Sequence, residues 1–574
     1  IPPRERSGHP GFRRLLEEIA QFYAERRDEV VEAAEQLTTR LRQVCDIEPR
    51  SRADTELSRN LLAVAFRRMS SAFDGEHGGF GPAPKFPQPT ALALLLRYHN
   101  ATGEPHALTI VETTLQRMAC GGIYDQLGGG FHRYSTDARW LIPHFEKMLN
   151  DNALLARVYL DAYRLTGKPL YERVVRETLD YVLREMTDSE GGFYSSQDAD
   201  SRGVEGAYSL WTSEEIRAAV GAQNADVVLR HFGVEPIGNF EGAQSVLSLA
   251  ATAEEIARQL GRDVGAVEAA IAEGRKALFA LRQERIAPAI DDKIVAAPNG
   301  LLVSAMASAA AVLGEERYLG AARRCADFLL SHMRREDGGL WRSYRQGKCS
   351  HNGYLPDYAF VIGALLDLYE ACFEVRWLET ANALAQTMIS RFWDEREGAF
   401  FYADDDHKPL VVRPKDSYDA PDPSGNAAAV LVLLRLAELG GREAWREKAV
   451  VTLRVFAPTM VKAPIHAAHM LSALGFHTAP PRLVAIAGAS GEPATDVLVR
   501  AAQRPFAPNT VLALADTTDA EALERTRDLA PALEGKTTTN GRPTAYVCQG
   551  RTCGPPTSDP DDLVRQIEGH RPVQ

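Results

Sequence analysis

Apolar residues recur at three- and four-residue spacing along almost the whole chain, the period of amphipathic and buried helices. Twelve windows in the central part carry the pattern: 54–72, 89–101, 105–119, 145–165, 170–186, 298–314, 317–334, 357–373, 377–393, 423–440, 443–458 and 463–475. PTALALLLRYHNATG is representative, with a proline at its start, an apolar stripe, and Gly103 where the helix should end. A short motif punctuates the windows. An acidic or polar cluster runs into paired small residues and then an aromatic residue or leucine, in DGEHGGF (74–80), DSEGGF (188–193), EDGGL (336–340) and DEREGAF (394–400), with the related QLGGGF at 126–131. Neighbouring copies lie about 50–60 residues apart, the length of one helical hairpin with its loops, except where 213–290 intervenes. Six such hairpins closed into a ring predict a mainly α fold, an (α/α)6 barrel over residues 46–478 whose inner helices are apolar on most sides and whose loops form a cup.

Three segments depart from this pattern. Residues 213–290 read as a charged helical insertion, with TSEE (212–215) as a helix start. Residues 1–45 hold one or two amphipathic helices resembling the end of another domain. From about Pro480, RLVAIAGA, NTVLALAD and TAYVCQG alternate with helical stretches and predict a small α/β region over 479–574.

The net charge of −12 argues against nucleic acid as a partner. No apolar run reads as a bilayer span, so no membrane is expected. Seven scattered cysteines read as reduced thiols of a cytoplasmic protein. Cys548 and Cys553, in CQGRTC, read as two ordinary thiols, with a disulfide as the alternative. Phosphate-binding glycine loops, Gly-x-Ser-x-Gly elbows, zinc spacings and dinucleotide fingerprints are missing from the sequence, so no cofactor or metal is expected.

Candidate chemistry concentrates in loops between windows. GGIYDQLGGGFHRYSTDARWLIPHFEKMLND (121–151) gathers His132, Asp137, His144, Glu146, Lys147 and Asp151 with Tyr134 and Trp140 around a glycine-rich turn. Paired histidines beside carboxylates suit acid–base work near neutral pH; structural ion pairs closing the loop are the alternative. FYSSQDADSRGVEGAYSLWT (193–212) crowds Asp198, Asp200 and Glu205 with Tyr208. This suits sugar binding or proton transfer, with Ca²⁺ binding or loop hydrogen bonding as alternatives. Asp292, Lys293 and Asn299 precede or open a helix, as do Asp357 with Tyr358, and Asp419 with Asn426. Lys85 sits on a proline-stiffened loop. If the ring closes, these loops converge on one cup holding a small-molecule substrate.

The motifs GGFGPAPKFPQP, GGIYDQLGGGFHRYSTDARWLIPHFEKMLNDNALL, SSQDADSRGVEGAYSLWT, DDKIVAAPNGLL, LPDYAF and PSGNAA resemble the family of spermatogenesis-associated protein 20 and its bacterial thioredoxin-domain-containing relatives, nearly end to end. The resemblance implies a thioredoxin-like domain followed by an (α/α)6 barrel similar to N-acylglucosamine 2-epimerases and six-hairpin glycosidases. On that footing residues 1–45 are the tail of a thioredoxin-like domain whose body is not in this chain. Relatives generally carry Trp at the place of Pro298 and a second Asp at the place of Pro356. The expectation is a carbohydrate-active barrel, an isomerase/epimerase or a glycoside hydrolase. In the first version His132 and His144 form the acid/base pair, with Asp198, Asp200 and Glu205 orienting hydroxyls. In the second, two carboxylates such as Asp198 and Asp357 flank the glycosidic oxygen. Lys85, Tyr134, Trp140, Glu146, Lys147, Tyr208, Asp292, Lys293, Asn299, Tyr358, Asp419 and Asn426 complete the binding set. The competing expectation is a glycan- or protein-binding module partnered by a thioredoxin-like domain.

Overall fold

Six long, apolar helices stand side by side and close on themselves. In a computed structural model, which describes residues 5, 10–45, 56–407, 411–550 and 552–569, they are Pro89–Thr102, Leu149–Thr166, Ala296–Leu313, Leu355–Cys372, Gly425–Gly440 and Ala468–Thr478. Each packs on the next, and Ala468–Thr478 returns to Pro89–Thr102. Outside them run Arg59–Ala72, Pro105–Cys120, Pro169–Glu185, Glu316–His332, Val375–Phe392 and Glu443–Lys462, each amphipathic with its apolar face inward. The fold is an (α/α)6 barrel. All twelve predicted windows correspond to these helices; the start of the first, residues 54–55, lies outside the described residues, as do 46–53 at the head of the predicted barrel. The fourth window opens late, at Leu149, because Lys147–Met148 pairs as a strand with Ser196–Gln197.

The sequence reading of the apolar runs needs correction at Ala296–Leu313. This helix is long and apolar enough to cross a membrane by composition, with no charged residue in 18. It is an inner ring helix, covered by Leu149–Thr166 on one side and Leu355–Cys372 on the other.

Chain direction sets the two ends of the ring apart. Turns of two residues (103–104, 167–168, 314–315, 373–374, 441–442) join inner to outer helices at one end. At the other end the longer segments 73–88, 121–148, 186–295, 333–354 and 393–424 enter the inner helices. The glycine motifs all fall there. Each folds back as a tight turn closed by a bridge, Phe73 to Phe80, Tyr124 to Phe131, Thr187 to Phe193, Arg334 to Leu340 and Trp393 to Phe400. Glycine is required at several of these turns. Gly79 and Gly130 both have φ of +79°, and a Cβ on either would come within 2.5 Å of Trp140 or Tyr181 respectively.

Two repeated ties hold the turns. Lys85, Lys147 and Lys415 each reach back to the motif aspartate (Asp74, Asp125, Asp394) at 2.5–2.8 Å and donate to a glycine carbonyl (Gly78, Gly129, Gly398) at 2.8–3.0 Å. Asn152, Asn299 and Asn426, in the first turns of inner helices, each accept from the amide of the motif phenylalanine (Phe131, Phe193, Phe400) and donate to its carbonyl. Tyr358 takes the equivalent place in a fourth copy, its hydroxyl accepting from the Leu340 amide at 2.9 Å.

The insertion consists of Ser213–Phe232, Ala253–Leu260 and Val264–Gln283, the first two opened by capping boxes at Thr212/Glu215 and Thr252/Glu255. Arg282 anchors it to the rim through both oxygens of Asp125 at 2.8 and 2.9 Å. The C-terminal region is a sheet of Thr510–Asp516, Arg482–Gly488, Thr544–Gln549 and Thr552–Cys553 in that order, only the first pair parallel. Leu483, Ala485, Ala487, Val511, Ala513 and Ala515 face the short-turn end of the ring and join its core, while Val484, Ile486, Leu512 and Leu514 face Pro493–Gln503 and Pro560–Glu568. The predicted 479–574 region therefore folds against the barrel; residues 551 and 570–574 lie outside the described residues. Cys548 and Cys553 are bonded as a disulfide between neighbouring strands, which corrects the reading of two free thiols. Phe12–Glu25 and Arg27–Cys45 form the N-terminal helices; 1–4 and 6–9 of that predicted tail are outside the described residues.

Replacing Asn426 by alanine strips the Phe400 amide and carbonyl of their buried partner and should destabilise the protein by about 1–3 kcal/mol. Urea unfolding checks this, and an unchanged midpoint would remove the tie from the account of the rim.

Candidate active site at the barrel mouth

Many of the polar residues legible in the sequence are consumed in building the rim. Lys85, Lys147, Asn299, Asn426 and Tyr358 are the ties just described. Trp140 is fully buried and donates through Nε1 to the His77 carbonyl at 3.0 Å. Asp137 accepts the amides of Arg139 and Ile142 and shapes its own turn. His132 is buried, its Nδ1 2.8 Å from the Phe145 carbonyl; burial, reinforced by Lys147, lowers its pKa to about 3. It stays neutral at physiological pH and has no reach into the mouth as an acid. Tyr208 lies under the Arg282 guanidinium and, with His132 and Lys147, lines a void of only about 10 Å³.

The loop at 193–212 reaches the rim through Glu205, which meets His144. Asp198 and Asp200 are exposed, Asp198 accepting the Asp200 amide at 3.2 Å. Asp292 is held by Arg345 and Gln346, and Lys293 pairs with Asp291. Among the described residues no group of three metal-ligating side chains is placed to hold an ion.

What remains at the N-terminal ends of the inner helices is a group of carboxyls, Asp151 and Asp357 on helix first turns and Asp419 and Asp422 from the 393–424 loop, with Asp422 acting on Asp151. Asp151 occupies the first turn of Leu149–Thr166 and is 6% exposed. Among the described residues its Oδ2 has no hydrogen-bond partner. Burial, then repulsion from Asp422, raises its pKa to about 8, against the pull of Arg133. Asp422 comes from the 393–424 loop. Burial raises its carboxyl too, while Asn150 donates to it at 2.6 Å and Arg342 and Arg133 oppose the shift. Asp357 is fully buried and raised to about 6 by burial, although it accepts the Tyr354 and Ala297 amides at 2.8 and 3.1 Å and faces Arg342 at 3.5 Å. Asp419, raised by burial to about 7, accepts the amides of Ser424 and His469.

Two aromatic stacks stand on the same loops. Phe86 stacks on Tyr134 and Tyr134 on His144, with centroids 4.8 and 5.1 Å apart. Tyr354 stacks on Tyr402 at 5.0 Å, with Arg342 over the Tyr354 ring. His144 is itself bracketed by carboxylates, Nδ1 2.7 Å from exposed Glu205 and Nε2 3.7 Å from Glu146, which pairs with Arg133 at 2.9 Å. The structure thus brings His144, Tyr134, Glu146, Glu205, Asp357 and Asp419 to the rim loops, and adds Asp422, Arg133 and Arg342, which the sequence reading did not select. Asp151, noted in the sequence among the loop carboxylates, belongs to this group of carboxyls. Its one signal was its place in the first turn of a helix entering the cup. Pro298 and Pro356 occupy first turns of inner helices, where a missing amide hydrogen costs nothing.

A carboxyl whose pKa is raised by folding destabilises the fold increasingly as pH climbs from its unfolded value toward its folded one, and the penalty is absent below the unfolded value. Asp151→Asn should therefore raise the melting temperature at pH 8 and have little effect at pH 4. A gain of equal size at both pH values would show that Asp151 does not titrate in this way.

No protein-family model matches the chain. Among curated proteins it is 35% identical over 608 residues to spermatogenesis-associated protein 20 of Homo sapiens, a match spanning 99% of this chain and 77% of that one. The Mus musculus protein of the same name is 34% identical over 605 residues, covering 99% and 76%. Solved structures of similar fold include a GH76 alpha-mannanase of Bacteroides thetaiotaomicron (11% identity, 75% of this chain and 96% of that one, TM-score 0.47) and cellobiose 2-epimerase of Spirochaeta thermophila (15% identity, 72% and 99%, TM-score 0.32).

Proposed function

The chain belongs to the family of spermatogenesis-associated protein 20, and from that premise we propose that it is a carbohydrate-active protein working at the barrel mouth, with Asp151 as proton donor. The observation that carries this reading is the Asp151 carboxyl: buried, with one oxygen unpaired among the described residues, and crowded by Asp422, so that its pKa is raised to about 8. A general acid must hold its proton at working pH and still be able to give it up, and a carboxyl titrating near 8 meets that condition. Asp422, coupled to it electrostatically and held by Asn150, is the second carboxyl. Arg133 and Arg342 offset negative charge that develops when the proton leaves. Phe86, exposed at the end of the Phe86–Tyr134–His144 stack, offers a flat apolar face of the kind that packs on sugar rings. In a glycosidase, Asp151 would protonate the leaving oxygen while Asp422 acts on the opposite face of the ring. In an isomerase or epimerase, the same pair would move the proton beside a carbonyl. Neither version uses His132, which is neutral and enclosed.

A second reading, a non-catalytic binding module serving a thioredoxin-like domain, draws on a different observation. Most rim charges are already satisfied: Lys85, Lys147 and Lys415 by motif aspartates, Asp357 and Asp419 by backbone amides.

Incubating the whole chain with aldoses, N-acetyl amino sugars and disaccharides, followed by NMR, separates these readings through the product formed. Turnover should fall above about pH 8 as Asp151 loses its proton, and fall again in acid as Asp422 gains one. Asp151→Asn should reduce kcat by about 10²–10⁴-fold. A variant that keeps full activity would rule out Asp151 as the acid, and binding without any product would favor the second reading.

A further inference from the structure

Below the mouth, a cavity of about 260 Å³ occupies the lumen of the ring. Its upper wall is Pro89, Thr90 and Pro423, and its floor is Phe506–Pro508 with Thr510 and Leu512 of the C-terminal region. The walls hold more charge than a helical core normally tolerates. Leu149–Thr166 contributes Arg157, Asp161 and Arg164; Leu355–Cys372 contributes Asp367 and Glu370; Gly425–Gly440 contributes Arg435; and Pro89–Thr102 contributes Arg97. His469 also faces the space, its pKa lowered by burial to about 4, so it is uncharged. Ala296–Leu313 supplies only the hydroxyls of Ser304 and Ser308 among polar groups.

Three arginines have acidic partners. Arg157 and Arg435 bind Asp367 at 3.1 and 2.8 Å, Arg435 also meets Glu370 at 3.1 Å, and Arg164 faces Asp161 at 3.6 Å. Among the described residues Arg97 has no carboxylate within ion-pairing distance. It makes a long hydrogen bond, 3.3 Å, to the Pro508 carbonyl. Burial, with repulsion from Arg157 and Arg435, pulls its pKa down to about 10 against the more distant attraction of Asp161 and Asp367. Four guanidinium groups against three carboxylates leave one positive charge over, in a place where an uncompensated ion is expensive. Three polar atoms on these walls lack hydrogen bonds among the described residues, Arg157 Nε, Asp161 Oδ1 and Glu370 Oε1, and each has an ion-pair contact only, at 3.7, 3.6 and 3.1 Å. The first needs an acceptor and the two carboxylate oxygens need donors, and a hydroxyl group serves as either. Arg97 also lies in the wall of a second cavity, about 400 Å³, between the ring and the C-terminal sheet.

We propose that the lumen cavity binds a small organic anion, a phosphate monoester or carboxylate on a polyhydroxylated body of monosaccharide size, with its anionic group against Arg97. The volume lies just below the usual ~300–1,000 Å³ of ligand pockets. The anion balances the surplus charge, and the body's hydroxyls meet Arg157, Asp161, Ser304 and Ser308. The C-terminal region is then a wall of the site as well as a cover for the ring. This site does not depend on any chemistry at the mouth.

Titration calorimetry and thermal shift on the whole chain, with glucose 6-phosphate, glucuronate, glucose and inorganic phosphate as probes, test the assignment. At least one of the two sugar anions should bind and raise Tm, and glucose should bind far more weakly. Arg97→Met should weaken anion binding by about 10–100-fold, the loss of a charged hydrogen bond. It should leave the ligand-free Tm unchanged or higher, because it deletes an unpaired buried charge. Should that variant fail to fold, Ala311→Phe fills the cavity without altering charge and must abolish the shift. Equal affinity for glucose, unaltered anion binding in either folded variant, or no binding of either sugar anion overturns the proposal. Phosphate binding as tight as that of glucose 6-phosphate overturns the polyhydroxylated body. Asp151→Asn should retain anion binding, so failure at the mouth and failure in the lumen are read separately.

Discussion

The inner helices are packed on almost every side, so the polar groups at their N-terminal ends cannot rely on water, and the rim is organised around satisfying them. The solution is repeated. A glycine turn bridges back on itself, an asparagine in the helix's first turn clamps the backbone of the turn's phenylalanine, and a lysine from the same loop neutralises the turn's aspartate. Each asparagine tie joins a loop to the helix it enters, which fixes the loop's height on the ring, while each lysine tie holds a loop to itself. Without the asparagine ties the loops at 121–148, 186–295 and 393–424 would have no common position from which to form a mouth.

This economy explains the electrostatics of the site. Cations and amides that could have served a ligand are committed to structure, and the insertion adds Arg282 to the same account by closing on Asp125. What stands out is a group left over. Asp151 sits in a helix's first turn, where a carboxylate is ordinarily welcome, yet among the described residues it receives no hydrogen bond on Oδ2 and is crowded by Asp422. The fold bears the cost of keeping it neutral, and a destabilised group inside an otherwise satisfied frame is characteristic of functional positions.

The opposite end of the ring follows a different logic. Short turns leave the lumen open there, and the C-terminal sheet closes it with one apolar face while turning its other face to its own helices. Arg164 donates to the carbonyls of Gln503 and Pro505, and Gln503 to that of Glu370, so the junction is hydrogen-bonded as well as apolar. The charged lumen is thereby set in low dielectric surroundings, where the pairing or non-pairing of each arginine matters far more than it would in water.

Helix positions, the six hairpins and the alternating strands were written in the sequence because they depend on local periodicity: a 3.6-residue stripe or a two-residue alternation is a property of neighbours along the chain. The glycine motif was legible for the same reason, since backbone conformation at Gly79 or Gly130 is a local demand. The use of each polar side chain was not. Lys85 and Arg133, or Asn299 and Asn150, look alike in a string of letters, yet one of each pair is enclosed in a turn and the other meets a carboxylate at the mouth. His132 and His144 lie twelve residues apart in one loop, and tertiary packing buried the first as a neutral ring while leaving the second between two carboxylates. Asp151 acquired its altered acidity from burial first and then from Asp422, some 270 residues away, and Arg97 its isolation from the arrangement of five other helices. Burial and electrostatic coupling are long-range quantities set by ring closure, and only the closed ring could assign them.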